Sequence, residues 1–137
     1  MIRAVIDTNV LVSSMISSAG NEALIVMAIN QGLLVPSFWA EILEEYREVL
    51  LRLKFGFPAN EVDALLDLLR RRGNLFDRAP AERASPDPGD DKFIACALAG
   101  KVDILVTGNK RHFPENELAG TRVVSAAELL EFITLEM

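Results

Sequence analysis

The sequence contains one cysteine, Cys96, and one histidine, His112. A single cysteine excludes an internal disulfide framework and a multi-cysteine zinc site. A single histidine makes a histidine-rich metal site or a Ser-His-Asp triad a poor explanation of the chain. The Ala-rich run around Cys96 predicts that this residue is buried in the core.

Long apolar runs are also absent, since none approaches the roughly 20 residues needed to span a bilayer. The N-terminal segment carries Asp7 and Asn9 inside its apolar stretch, which is untypical of a secretory signal. We therefore expect a cytoplasmic protein that does not interact with membranes.

Basic residues are too few to balance the acids. The chain has 14 Lys and Arg against 20 Asp and Glu, which gives a net charge of −6. This charge argues against a sequence-independent nucleic-acid coat, because phosphate binding needs cations. An acidic chain can still act on a phosphodiester if a bound metal ion supplies positive charge. The 137 residues, half of them apolar, predict one globular domain over residues 1–137.

Short apolar runs alternate with stretches of helical period. We predict strands at residues 2–6, 33–35, 74–78, 102–107 and 121–124. We predict helices at 10–17, 22–31, 37–53, 60–72 and 90–99, and a last helix after 125. The expected helix caps are Asn21, Ser37 and Ser125, with Pro36 ending the second strand and a loop at 79–89. Strands separated by helices predict a three-layer α/β/α fold around a parallel sheet of four to five strands.

In such sheets the working site lies beyond the carboxyl ends of the strands. Asp7 directly follows the first predicted strand, so it is either a helix N-cap or a site residue. Glu45 lies in the predicted 37–53 helix. At roughly 100° per residue it falls about 20° outside the apolar arc, closer than the other glutamates of that helix. It is either a surface glutamate or a carboxylate that needs a partner at the rim of the buried face.

Asp90 and Asp91 begin a predicted helix, where free N–H groups and the helix dipole stabilise acids. Asp90 projects onto the same face as Phe93, Ile94 and Ala97, and therefore inward. We prefer Asp90 for the site and Asp91 for a supporting role. Acids from three segments that meet at one edge would repel each other unless a hard divalent cation bound there. The predicted cofactor is therefore Mg²⁺ or Mn²⁺, which take oxygen ligands.

These segments resemble the motifs of the PIN domain family of metal-dependent nucleases. The resemblance lies in VIDTNVLVSS, EEYREVL, DPGDDKFIACALAG and ILVTGNKRHF, which cover almost the whole chain in the family's order. The compact length is similar to that of VapC-type toxins of prokaryotic toxin–antitoxin modules. The resemblance implies an endoribonuclease that holds its metal through Asp7, Glu45 and Asp90. Water would attack the phosphodiester in line, and the metal would stabilise the charge of the transition state.

The resemblance also implies roles for the surrounding residues and for partners. Thr107 would orient a water or an acid through its hydroxyl. The supporting positions are Asn9, Asp91, Thr107 and Asn109. Lys110 and Arg111 are candidates for RNA contact because they lie beside the proposed site, although they could equally be solvent-exposed surface residues. The implied partners are the RNA substrate, a cognate antitoxin protein and a second copy of the chain in a homodimer.

The last motif departs from the family pattern. Family members usually supply a fourth acid there, whereas this chain has Asn109 and His112 at the two candidate positions. An alternative is therefore a weakly active or inactive PIN-like module that binds RNA or a partner.

Two other classes share part of this pattern: haloacid-dehalogenase-type phosphatases place an Asp after the first strand, and response-regulator receivers have an acid cluster and a Thr at a strand end. A haloacid-dehalogenase-type phosphatase needs a second Asp two residues later, where this chain has Asn9. A response-regulator receiver needs an acid at the end of a middle strand, and none follows residues 33–35.

Overall fold

The computed structural model of the protein describes residues 2–75, 91–113 and 120–136, with the backbone alone for residues 91, 135 and 136. The strands are β1 (Ile2–Ile6), β2 (Leu34–Phe38), β3 (Asn74–Leu75), β4 (Ile104–Val106) and β5 (Arg122–Val124). The α-helices of this part of the chain are α1 (Thr8–Ile16), α2 (Asn21–Asn30), α3 (Ala40–Leu50), α4 (Ala59–Arg72), α5 (Asp91–Gly100) and α6 (Ala126–Glu136). A short 3₁₀ helix covers Lys110–His112.

The strands form one parallel sheet in the order β3-β2-β1-β4-β5. The chain builds the sheet from β1 outward to β3 and then returns to place β4 on the other side of β1. The prediction of a three-layer α/β/α fold with a parallel sheet of four to five strands is confirmed. The strand order reverses between β1 and β4, and the crevice at such a point is the usual ligand site of open parallel sheets.

The core consists of the central strands and the helices that cover them. Ala4, Val5 and Ile6 of β1 are buried in succession, because a parallel sheet covered on both faces hides both sets of its side chains. On α5, residues 93–97 are all buried. Cys96 is among them, and burial raises the pKa of its thiol to about 12, so its prediction as a core residue is confirmed.

The prediction that β2 ends at Pro36 is wrong. The strand continues to Phe38, and Pro36 pairs in register with Ala4 of β1. Proline has no backbone N–H and cannot donate a hydrogen bond to a neighbouring strand. It is therefore tolerated where that side of its strand is unpaired. The neighbour on that side, β3, pairs only with Ser37 and Phe38.

Ser37 was predicted to cap a helix over 37–53, and this is also wrong. Ser37 is a buried strand residue, the helix begins at Ala40, and Trp39 at the N-cap makes no side-chain capping bond. The helix ends at Leu50, and Leu53 beyond it is 98% exposed. Ser37 and Phe38 adopt extended backbone because they pair with Asn74 and Leu75 of β3.

The N-cap of α2 is Gly20, so the predicted cap Asn21 is instead the first helical residue. At the last helix the predicted capping box is confirmed. The backbone N–H of Ser125 donates to Glu128 Oε1 at 3.0 Å, and the N–H of Glu128 donates to Ser125 Oγ at 3.2 Å.

Two predicted segments fall partly or wholly outside the described residues. The predicted strand at 74–78 is observed as Asn74–Leu75, with 76–78 outside, and the predicted loop at 79–89 lies entirely outside.

Within the described ranges, no single helix is long and apolar enough to cross a membrane. Only α1 and α2 taken together reach that length and apolar content, and they meet at a bend of 103°.

Candidate active site

Asp7 and Thr107 lie side by side at the carboxyl ends of β1 and β4. The two strands pair Ile6 with Val106, and the backbone N–H of Asp7 donates to the Val106 carbonyl at 2.9 Å. The Thr107 hydroxyl donates to Asp7 Oδ2 at 2.8 Å and accepts the backbone N–H of Asn109 at 3.0 Å. Thr107 is fully buried, so its hydroxyl holds the Asp7 carboxylate in a defined orientation at the point where the strand order reverses.

Asp7 occupies the N-cap position of α1, but its side chain makes no capping hydrogen bond. The carboxylate points toward Thr107 instead, and only 7% of the residue is exposed. Burial is the main cause that raises the pKa of Asp7, and the negative charge of Glu45 raises it further. The Thr107 hydrogen bond and His112 act in the opposite direction. Ionised Asp7 is therefore held in an environment that favours an added positive charge.

Glu45 is brought to the same edge by its neighbour in the sequence. Tyr46 is fully buried, and its hydroxyl donates to the Ile6 carbonyl at 2.6 Å. This bond fixes α3 across the end of β1. Glu45 then lies next to the start of α1, where the Thr8 hydroxyl donates to Glu45 Oε2. The helix-rim position expected for Glu45 thus corresponds to a side chain that is 25% exposed and has polar partners.

The other oxygen of Glu45 has a cationic partner. Lys92, in the first turn of α5, places its Nζ 2.5 Å from Glu45 Oε1. Its side chain is 20% exposed. The ammonium group and Thr8 together engage both oxygens of the Glu45 carboxylate.

The turn after β4 contributes Asn109 and His112. The Asn109 amide nitrogen lies 3.3 Å and 3.1 Å from Nδ1 and Nε2 of the imidazole ring. Asn109 is tied to the site through its backbone N–H, which donates to Thr107. Asn109 supplies no negative charge, but its amide oxygen is a neutral acceptor.

The predicted RNA-contact residues point elsewhere or are open to solvent. Lys110 forms an ion pair with Glu128 of α6, and this contact is the main cause that lowers the pKa of Glu128 to about 2. Arg111 is exposed. Asn9 is exposed too, and it lines a cleft of about 240 Å³ together with Gly108.

The third predicted acid, Asp90, lies outside the described residues, and Asp91 is described only as the first backbone position of α5. Within the described part of the chain, no group of three or more His, Cys, Asp or Glu side chains is close enough to hold a metal ion. The carboxylates of Asp7 and Glu45 and the amide of Asn109 are oxygen donors. This donor chemistry fits Mg²⁺ or Mn²⁺, which bind such oxygens together with water and substrate phosphate.

Sequence reasoning did not predict the partners Thr8, Tyr46 and Lys92. Thr8 directly follows Asp7, and its position beside a candidate ligand is a signal that its hydroxyl could orient a carboxylate of the site. Lys92 also left a signal, because a cation in the first turn of a helix opposes the dipole and needs a compensating acid. Tyr46 left none, since its period on α3 is that of any core residue.

The sequence profile of the PIN domain family matches residues 3–111 of the chain. The match covers more than half of the sequence, and the chain therefore belongs to the PIN domain family. PIN domains are generally nucleases, and membership in the family supports a hydrolase that acts on nucleic acids. No curated protein matches the chain.

Proposed function

We propose that the protein is a metal-dependent endoribonuclease that uses Mg²⁺ or Mn²⁺. The observation that supports this most strongly is the approach of two carboxylates, Asp7 and Glu45, at the carboxyl edge of the sheet. The Thr8 hydroxyl, one residue after Asp7, donates to Glu45, and the charge of Glu45 contributes to the raised pKa of Asp7. A buried carboxylate beside a second one is costly unless hydrogen bonds or a cation offset the charge, and perturbed acids cluster at functional sites.

The two candidate ligands that the structure describes, Asp7 and Glu45, each accept a hydrogen bond from a threonine hydroxyl. Thr107 donates to Asp7, and Thr8 donates to Glu45, so the oxygens that remain are directed by short, defined contacts. Asp90 is proposed as the third ligand, with Asp91 in support. A divalent ion bound by these acids would polarise the phosphodiester and stabilise the negative charge that develops on it. The contribution of the chain's own residues is therefore to hold the carboxylates in the orientation that would bind the ion.

RNA is the proposed substrate. The chain carries a net charge of −6, so attraction for a polyanion has to come from local features. Arg111 is exposed on the turn that follows Thr107 and Asn109, which is suitable for a backbone phosphate. Lys110 is proposed as a second contact, in exchange for its ion pair with Glu128.

The biological setting is proposed from the resemblance to VapC-type toxins. In this setting the chain is the toxin of a toxin–antitoxin pair in the cytoplasm, acts as a homodimer and is inhibited by a cognate antitoxin protein.

The second candidate function is a PIN-like module that binds RNA or a partner with weak or no catalysis. The observation that favours it is Asn109, which stands where family members usually supply a fourth acid and which contacts the His112 ring. Such a site would bind its metal with one charge fewer.

The experiment is RNA cleavage by the purified protein with Mg²⁺, with Mn²⁺ and with EDTA. Asp7→Asn preserves shape and removes charge, so we expect it to abolish cleavage. The matched control is Asp67→Asn, at an acid that is 61% exposed and paired with Arg71. Cleavage that persists in EDTA contradicts the metal mechanism, and metal binding without cleavage favours the binding module. Asp90→Asn and Asp91→Asn, compared in the same assay, identify the third ligand.

A further inference from the structure

Lys92 is the part of the site to which the proposed nuclease function assigns no role. Its ammonium lies 2.5 Å from Glu45 Oε1, and the two side chains are 20% and 25% exposed. Charge-assisted hydrogen bonds of this kind are roughly twice as strong as neutral ones. The contact is therefore a substantial interaction on an oxygen that a metal would use.

The position of Lys92 is unfavourable on local grounds. It lies in the first turn of α5, where the positive end of the helix dipole repels cations. Its side chain is only 20% exposed, so the ammonium loses part of its hydration. These costs are offset at least in part by the carboxylate of Glu45, with which the ammonium is in direct contact. Lys92 thus supplies positive charge where carboxylates gather.

We propose that Lys92 is a built-in competitor of the divalent cation. Its ammonium holds Glu45 Oε1 when no metal is bound, and a metal ion has to displace it from that oxygen. The inference rests on the proposed metal site. Magnesium binds oxygen at about 2.0–2.1 Å, and the Lys92 ammonium already lies 2.5 Å from Glu45 Oε1. A metal ion and an ammonium on the same oxygen repel each other, so binding of the metal opposes the lysine contact. Lys92 then weakens metal binding and, in the metal-free protein, offsets the negative charge of Glu45.

The test measures Mn²⁺ affinity by calorimetric titration, independently of cleavage. Lys92→Met keeps the length of the side chain and removes the charge. We expect it to tighten Mn²⁺ binding about tenfold, equivalent to about 1.4 kcal/mol. Lys92→Gln is a second variant with the same expected direction. The matched control is Arg47→Met, which removes an ion-paired cation two residues from Glu45 on the same helix. Its expected change is less than twofold.

A double-mutant cycle separates direct competition from charge repulsion through space. If Lys92 acts through the Glu45 carboxylate, Lys92→Met in a Glu45→Gln background should change Mn²⁺ affinity by less than twofold. A gain that stays near tenfold in that background would refute competition at Glu45. Thermal melting without metal accompanies each variant, and Lys92→Met is expected to melt below the parent because its carboxylates lose their cation.

The outcomes distinguish this inference from the proposed function. Tight Mn²⁺ binding by the parent with equal or weaker binding by both Lys92 variants overturns the competitor role and leaves the metal site standing. Binding by the Lys92 variants but not by the parent supports the inference in its strongest form. No binding by any of them overturns both proposals.

Discussion

Asp7→Asn should stabilise the metal-free protein while it removes the proposed function. Asp7 is 7% exposed, its charge is disfavoured first by burial and then by Glu45, and only part of this cost is offset by the Thr107 hydrogen bond. Asparagine has nearly the same shape, and its amide oxygen can accept the same hydroxyl. Substitutions that relieve a functional site of such strain commonly contribute about 0.5–2 kcal/mol. We expect the free energy of unfolding to rise by about 1 kcal/mol, or about 3–5 °C in Tm for a chain of this size.

The stability difference between Asp7→Asn and the parent should depend on pH, because only the parent titrates at this position. The pKa of Asp7 in the folded chain is raised above its ordinary value of 3.8. Protonated Asp7 therefore contributes to the free energy of unfolding of the parent. This contribution is fully present below pH 3.8 and is lost as the pH rises through the raised pKa. Asparagine at this position does not titrate. The advantage of the variant over the parent should therefore be largest near neutral pH and shrink toward pH 4.

The assay is urea denaturation in EDTA at several pH values, repeated with Mn²⁺. A cation that binds only the folded parent stabilises it by about 2.7 kcal/mol at a hundredfold excess over its Kd. The parent should then become the more stable protein, so Mn²⁺ should invert the order of the two. Asp67→Asn, at an exposed ion pair, should change stability by less than about 0.5 kcal/mol in either condition. A variant less stable than the parent at neutral pH without metal would refute the reasoning.

Three further predictions concern the contacts around Asp7. Glu45→Gln should reduce RNA cleavage far more than Glu44→Gln, because Glu45 contacts the site and Glu44 is exposed; equal rates would exclude Glu45 as a ligand. Thr107→Val should lower the free energy of unfolding by about 1–3 kcal/mol in urea denaturation, since it removes the donor to Asp7 and the acceptor of the Asn109 N–H. Asn109→Asp should tighten Mn²⁺ binding in calorimetry by about tenfold, near 1.4 kcal/mol, and lower metal-free stability; unchanged affinity would mean that residue 109 does not face the metal.

The features that could be predicted from the sequence are those decided by short-range interactions. The alternation of apolar runs and helical stretches is enough to predict a parallel α/β sheet, because the two periods differ and each helix must cover the sheet. The Ser125–Glu128 capping box involves atoms three residues apart, and it forms as predicted. The placement of Asp7 at a strand end follows from its position directly after a buried apolar run.

Local rules failed where strand pairing overrode them. Pro36 and Ser37 read as a strand end and a helix cap, but pairing with β1 and β3 keeps both in extended backbone. Such long-range pairing depends on the order of the strands, which no window of neighbouring residues contains.

The chemistry of the candidate site was likewise a tertiary outcome. The bond from Thr107 to Asp7 joins residues 100 positions apart, and the bond from Thr8 to Glu45 spans 37. The sequence by itself supplied the acids and their helical or strand context. Only the return of the chain to place β4 beside β1, and the docking of α3 through Tyr46, decided which hydroxyl orients each acid. The contact of Lys92 with Glu45 arose in the same way, since the cost of a cation at a helix N-terminus is met by an acid from another helix.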